Sequence, residues 1–261
     1  MLNKTLQLLV LSGNNITGRD LPECFALHNF TKIQSVSMSD NPLSITLNAD
    51  IQLAPSISML HLSACNLTGS LNDKVFEGLI NDLDLSHNHL VGQIPAKPPN
   101  VTNLAYLDLS NNHFTGFDSD QWGSFTSLKE INLSRNSIAG DVESVLRILG
   151  LNCTTSTRLP LVQWWSLDLS YNKLVGQIPP SLGECANDLH ILSLNHNNIT
   201  GAIPQNLPRN IMLLFLDDNQ LKGEIPASLF TNFSTVLELS YNELEGDLKI
   251  LFSFLQSTSN L

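Results

Sequence analysis

The chain has 261 residues, of which 13 are Lys or Arg and 24 are Asp or Glu, giving a formal net charge of -11 and a pI near 4.9. The basic residues are scattered, which excludes the cationic patches that nucleic acid or an anionic membrane surface requires. No stretch approaches the ~18 consecutive apolar residues of a membrane span, and no Cys-x-x-Cys pair points to zinc.

The chain opens with Lys4 ahead of the apolar run Leu6-Gln7-Leu8-Leu9-Val10-Leu11, which has the form of a short signal peptide. The register argues otherwise, because Leu6, Leu9, Leu11, Asn14, Ile16 and Gly18 belong to a pattern that recurs to the end of the chain. Its fullest copy is Leu167-Asp168-Leu169-Ser170-Tyr171-Asn172-Lys173-Leu174-Val175-Gly176-Gln177-Ile178-Pro179. Anchored on the Asn, the copies fall at Asn14, Asn41, Cys65, Asn88, Asn112, Asn136, Asn172, Asn197, Asn219 and Asn242, with spacings of 27, 24, 23, 24, 24, 36, 25, 22 and 23. Glycine stands four residues after every anchor but the second, where Ile45 replaces it. A period in the twenties marks a solenoid, in which one supersecondary unit buries its apolar face only by stacking on its neighbours.

Within each copy, Leu-x-x-Leu-x-Leu predicts a short parallel strand whose Leu residues point inward and whose intervening residues face out. The anchor side chains are expected to form a ladder, bonding backbone groups where the chain leaves the strand. The anchor position accepts Asn or Cys, so Cys65 is read as structural. Leu-x-Gly-x-Ile-Pro then turns the chain onto a second face, with Pro95, Pro179, Pro204 and Pro226 fixing an extended bend. The remaining copies lack the Ile-Pro pair, and the second face is expected to be regular only where the pair is present.

The outer segments are too short for more than one or two helical turns. The exception is the long interval from Asn136 to Asn172, which carries an insertion at about 141–163. Val142, Val145, Leu146 and Leu149 recur there at helical spacing, with Asp141 as N-cap and Gly150 as the stop; a polar loop follows. The expected architecture is one array over 1–261, with about ten repeats. Neither end has a capping unit in this register, so caps, secretion signal and any anchor are expected outside this sequence.

The segments Leu83-Asp84-Leu85-Ser86-His87-Asn88-His89-Leu90-Val91-Gly92-Gln93-Ile94-Pro95 and Leu192-Ser193-Leu194-Asn195-His196-Asn197-Asn198-Ile199-Thr200-Gly201-Ala202-Ile203-Pro204 resemble the plant-type leucine-rich repeat. That class is found in the ectodomains of plant receptor-like kinases and receptor-like proteins, and in polygalacturonase-inhibiting proteins. The resemblance implies an α/β solenoid, a horseshoe or superhelix with a parallel sheet on its concave face. It implies recognition of a peptide or protein ligand, or of a co-receptor, with no cofactor, no metal and no catalysis. A secreted inhibitor of a microbial wall-degrading enzyme and a structural surface glycoprotein are the alternative readings, because one solenoid design serves unrelated partners.

On the outward strand positions stand Asp82, Asp84, Tyr106, Asp108, Glu130 and Asp168, with Trp165 and Tyr171 beside them. Carboxylates flanked by aromatics suit a basic peptide or protein surface. Leu-Asp-Leu-Ser is also the habit of the repeat, which gives Asp84, Asp108 and Asp168 a structural reading as well. His190, Ile191, His196, Met212, Leu213, Phe215 and Tyr241 continue the surface. An open sheet offers no pocket in which one carboxylate of a pair is kept protonated, so a glycosidase is not expected. The outward histidines His61, His87, His190 and His196 are not expected to bring three metal ligands together.

Nine Asn-x-Ser/Thr sequons point to a secreted or cell-surface glycoprotein. Asn3, Asn15, Asn29, Asn66, Asn100, Asn152, Asn198 and Asn232 are expected to carry glycans. Asn132 projects among the candidate ligand residues and is expected to be poorly occupied. Cys24, Cys153 and Cys185 are too sparse to define a disulfide framework, although Cys153 and Cys185 remain a possible pair.

Overall fold

The computed structural model describes residues 5–18, 32–47, 55–76, 78–95, 103–119, 127–151, 165–186, 188–232 and 236–247. The chain divides into two compact units, Met1–Ser137 and Ile138–Leu261. Each is a parallel-sheet solenoid.

In the first unit the predicted strands form at Leu8–Val10, Ser35–Ser37, Met59–His61, Asp82–Asp84, Tyr106–Asp108 and Glu130–Asn132, and each pairs in parallel with the next. In the second they form at Ser166–Asp168, Ile191–Ser193, Leu213–Phe215 and Val236–Glu238. The middle residue of each strand registers on the middle residue of its neighbour. Val36, Leu60, Leu83, Leu107 and Ile131 thus form one buried row, and Leu167, Leu192 and Leu214 another. Burial of each such side chain contributes about 2 kcal/mol.

The ladder forms as the sequence predicts. Asn88 is typical. Its Oδ1 accepts from the N–H groups of Cys65 (3.0 Å) and Leu67 (2.9 Å), and its Nδ2 donates to the carbonyls of Leu62, Leu85 and Ser86 (2.8, 3.0 and 2.9 Å). Asn112, Asn136, Asn172, Asn197, Asn219 and Asn242 likewise accept from the backbone of the preceding copy. Cys65 has no amide oxygen to offer. Its thiol donates to the Met38 and Ser63 carbonyls, while Leu43 N–H, which a ladder Asn would have taken, turns back to the Asn41 carbonyl at 2.8 Å. This tight turn puts Ser44 at φ 53° and buries Ile45, which accounts for the one copy without its glycine.

The second face is also a sheet, which the sequence reading had limited to a bend. Thr46–Leu47, Thr68–Ser70, His89–Ile94 and His113–Phe117 pair in parallel in the first unit. In the second, Ala139–Asp141 pairs with Lys173–Val175, and Thr200–Ala202, Gln220–Glu224 and Glu243–Glu245 pair in turn. Several of these strands come from copies without Ile-Pro, so the pair is not what makes the face regular. Stacking at strand spacing is sufficient, because it brings extended backbone alongside extended backbone. Gly69 shows the constraint. Its φ is 90°, and a Cβ there would run into the Leu47 carbonyl of the adjacent strand.

The helix of the insertion spans Val142–Ile148. Asp141 accepts from Ser144 N–H at 3.1 Å as the predicted N-cap. At the other end Gly150, at φ 93°, donates to the Arg147 carbonyl and Leu151 donates to that of Leu146, the paired bonds of a Schellman stop. Val142, Val145, Leu146 and Leu149 are buried, as their spacing predicts. The loop after it, with Asn152 and Cys153, lies outside the described residues, as do Cys24 and the sequons Asn3, Asn29 and Asn100. Cys185 is disulfide-bonded and Cys65 is free and buried.

Candidate ligand-binding surface

The strand register arranges the outward residues of the first unit in two columns. Asp82, Tyr106 and Glu130 are cross-strand neighbours in one, and Asp84, Asp108 and Asn132 in the other. Adjacent strands lie about 4.8 Å apart. Carboxylates are therefore held side by side by the backbone itself.

The second column has a local structural task. Asp84 Oδ1 accepts from both the N–H (2.9 Å) and the hydroxyl (2.7 Å) of Ser86, and Asp108 Oδ1 accepts from Ser110 N–H at 2.8 Å. Asn132 does the same with Ser134 N–H (3.1 Å) and hydroxyl (2.7 Å). In the second unit Asp168 accepts from Ser170 N–H at 2.9 Å. These are side-chain turns that close the strand exit, and they give Leu-Asp-Leu-Ser its structural meaning. Asn132 Nδ2 further donates to Asp108 Oδ2 at 3.1 Å. Burial raises the Asp108 carboxyl above its usual range despite the Ser110 bonds, and the neighbouring Asp84 pushes the same way. Glu130 is also raised, by desolvation at the sheet surface and then by Asp108 and Asp82.

The first column is freer of such duties. Tyr106 is 41% exposed. Glu130 is exposed, and Asp82 meets His61 Nε2 at 3.1 Å. This column presents an aromatic ring between two carboxylates to solvent.

The corresponding surface of the second unit is aromatic and apolar. Trp165, 50% exposed, stacks on His190 with ring centroids 5.8 Å apart. Tyr171 stacks on His196 at 3.9 Å and 20°. Ile191, Leu213 and Val236 are cross-strand neighbours on the same face, as are Ser193, Phe215 and Glu238. Trp165, Asp168 and Tyr171 lie in the second unit, and Asp82, Asp84, Tyr106, Asp108 and Glu130 in the first.

Sequence reasoning missed the residue just before each anchor. At Asp40, Ala64, His87, Asn111, Arg135, Tyr171, His196, Asp218 and Tyr241 the backbone is left-handed, with φ between 51° and 56°. Only the first copy has a glycine there, Gly13 at φ 69°, because the ladder bonds impose the turn on whatever side chain is present. One result is a meeting that the sequence reading did not expect. His196 Nε2 lies 3.3 Å from Asp218 Oδ2 and 3.9 Å from Asp217 Oδ2.

Among the sequons, Asn15, Asn66 and Asn198 are exposed, whereas Asn132 is half-buried with its amide engaged. Asn232 ends the short helix Ser228–Asn232.

Two family models, both described as leucine-rich repeat, match residues 80–138 and residues 5–27, 164–185 and 188–210. The chain is a plant-type leucine-rich repeat protein. It is 30% identical to Receptor-like protein 35 of Arabidopsis thaliana over 92% of its own length, and 31% identical to Receptor-like protein 53 over 82%. It spans 25% and 21% of those relatives, about a quarter of the whole proteins. Among solved structures it resembles PEPR1–AtPEP1, with a TM-score of 0.74 and 29% identity over 93% of this chain and 32% of that one. It also resembles the ectodomain of the Arabidopsis receptor kinase HAESA, solved with an N-terminally extended IDA peptide hormone, with a TM-score of 0.72 and 27% identity over 92% and 38%. Among the described residues no helix is long and apolar enough to cross a membrane.

Proposed function

We propose that this repeat array is the recognition part of a cell-surface, glycosylated receptor-like protein. It works without catalysis or cofactor, and binds a peptide or protein ligand, or a co-receptor, through the exposed positions of its main sheet. The observation that carries this reading is the division of labour at those positions. Asp84, Asp108 and Asp168 close turns, whereas Tyr106, Glu130, Trp165 and Tyr171 stand exposed at places where the repeat requires no such groups. Exposed aromatics are the side chains that carry interface energy. A basic ligand residue beside Tyr106 would meet Asp82 and Glu130, and an apolar one beside Trp165 would meet Ile191 and Leu213. The receptor-like relatives and the peptide-bound ectodomains are consistent with a ligand of this class.

The test is selection of a displayed random-peptide library on the secreted protein, followed by affinity measurement on four variants. Tyr106→Ala, Glu130→Gln, Trp165→Ala and Tyr171→Ala serve, with a second-face substitution, Val91→Ala, as control. Loss of one aromatic anchor costs about 2 kcal/mol, or roughly thirtyfold in Kd. Selected peptides that ignore all four substitutions and respond to Val91→Ala refute the assignment.

A further inference from the structure

We propose that His196, Asp217 and Asp218 form a binding site for a divalent transition-metal cation of the zinc class. The starting point is a departure from the repeat. Two residues before the anchor the sequence has Ser in eight of ten copies, as at Ser170 and Ser240, and the exceptions are Asn195 and Asp217. In the turns described above that Ser bonds an Asp two residues earlier. The ninth copy has Phe215 there instead, so Asp217 has no such turn to close.

The geometry follows from the left-handed positions. Tyr171, His196 and Asp218 occupy equivalent places in consecutive copies, at φ 53°, 54° and 51°, which sets their side chains in a row. The near-parallel ring of Tyr171 fixes the plane of the imidazole from one side. On the other side Nε2 faces the two carboxylates, and one ligand atom from each of the three residues lies within 4.8 Å of the others. Zinc bonds of about 2.0–2.2 Å in a tetrahedral site place ligand atoms roughly 3.3 Å apart. The 3.3 Å separation from Asp218 fits as it stands, while the 3.9 Å from Asp217 and the separation of the two carboxylates, within 4.8 Å, close on it by side-chain rotation.

Charge points the same way. One imidazole carries at most one positive charge against two carboxylates, and among the described residues His196 is the only ion-pair partner that either carboxylate has. A divalent cation neutralises both, and its bond to Nε2 uses the lone pair of the neutral imidazole. The side chains of His196 and Asp218 are 34% and 38% exposed, which leaves the remaining coordination positions open to water. Imidazole with carboxylates suits zinc better than magnesium, which prefers an all-oxygen shell. Among the described residues the other histidine contacts do not reproduce this set. His61 meets a single carboxylate, and His89 stacks on His113.

Isothermal titration of the whole secreted chain with zinc chloride tests the site. One saturable site is expected, insensitive to magnesium at equal concentration. His196→Ala and Asp217→Ser are each expected to weaken it at least tenfold, since outer-shell groups alone are worth 10–100-fold. Asp217→Ser restores the residue that the repeat itself uses, and an unchanged melting curve without metal shows that it folds. His113→Ala, in the other unit, is expected to bind as the wild type does. Absence of saturable zinc binding, or a titration that either of the two site substitutions leaves unchanged, overturns the proposal.

Discussion

Replacing Asn88 by Ala tests the physical account of the ladder where it is most exacting. The residue is 4% exposed; its Oδ1 accepts two hydrogen bonds, and the two hydrogens of Nδ2 are shared among three carbonyls. Ala removes all of these and leaves the N–H groups of Cys65 and Leu67 facing an apolar interior. At a net ~1 kcal/mol for each of two accepted and two donated bonds the loss is about 4 kcal/mol; as two unsatisfied buried donors at ~1–3 kcal/mol each, it is also about 4 kcal/mol. The two estimates agree well enough to expect ~4 kcal/mol. Asn14→Ala is the internal comparison, because Asn14 is exposed and, among the described residues, its side chain bonds only the Leu11 and Ser12 carbonyls of its own copy. It should cost about 1 kcal/mol. Repeat arrays need not unfold in one step, so the assay is hydrogen exchange read at the Cys65 and Leu67 amides, together with the urea midpoint. Protection at both amides should collapse in Asn88→Ala and persist in Asn14→Ala. If Asn88→Ala costs no more than Asn14→Ala and Leu67 stays protected, the ladder is not what holds successive copies together.

Asp108 and Glu130 have folded-state pKa values above their ordinary 3.8 and 4.5, so their contribution to stability is fully present below those values and is lost as pH rises through the raised ones. Glu130→Gln should therefore raise the melting temperature at pH 7, by an amount that shrinks on acidification toward pH 4; a gain independent of pH contradicts this. Gly69→Ala should destabilise the first unit by ~3 kcal/mol or more, through the left-handed φ and the clash with the Leu47 carbonyl, whereas Gly223→Ala, with no atom near its Cβ, should cost about 1–2 kcal/mol in urea unfolding. Glycopeptide mass spectrometry of the secreted protein should find Asn132 largely unmodified, because its amide is bonded to Asp108, while Asn66, Asn198 and Asn152 are occupied. Full occupancy at Asn132 would move the ligand surface off these strands, toward Ile191, Phe215 and Tyr241.

The parts of the fold legible in the sequence are those that repetition reports many times over. Each buried Leu and each ladder Asn is the same local problem solved again, so a column of nine matches leaves little freedom, and the Asp141–Gly150 helix is readable because caps and apolar spacing agree. The second-face strands were not legible. Their residues, such as Thr68-Gly69-Ser70, carry no strand pattern and are extended only because neighbouring turns stack on them. The candidate surface was legible in position but not in role. The spacing that faces Asp84 and Tyr106 outward on adjacent strands says nothing of the Ser86 bonds that occupy one and leave the other exposed. His196 shows why the remainder lay out of reach. Its meeting with Asp217 and Asp218 depends on a left-handed turn imposed by ladder bonds from another copy, an effect that no local spacing rule encodes. In a repeat protein, function is to be sought where a column breaks its own rule, and here the break from Ser to Asp217 sits beside an imidazole already held in place by a tyrosine ring.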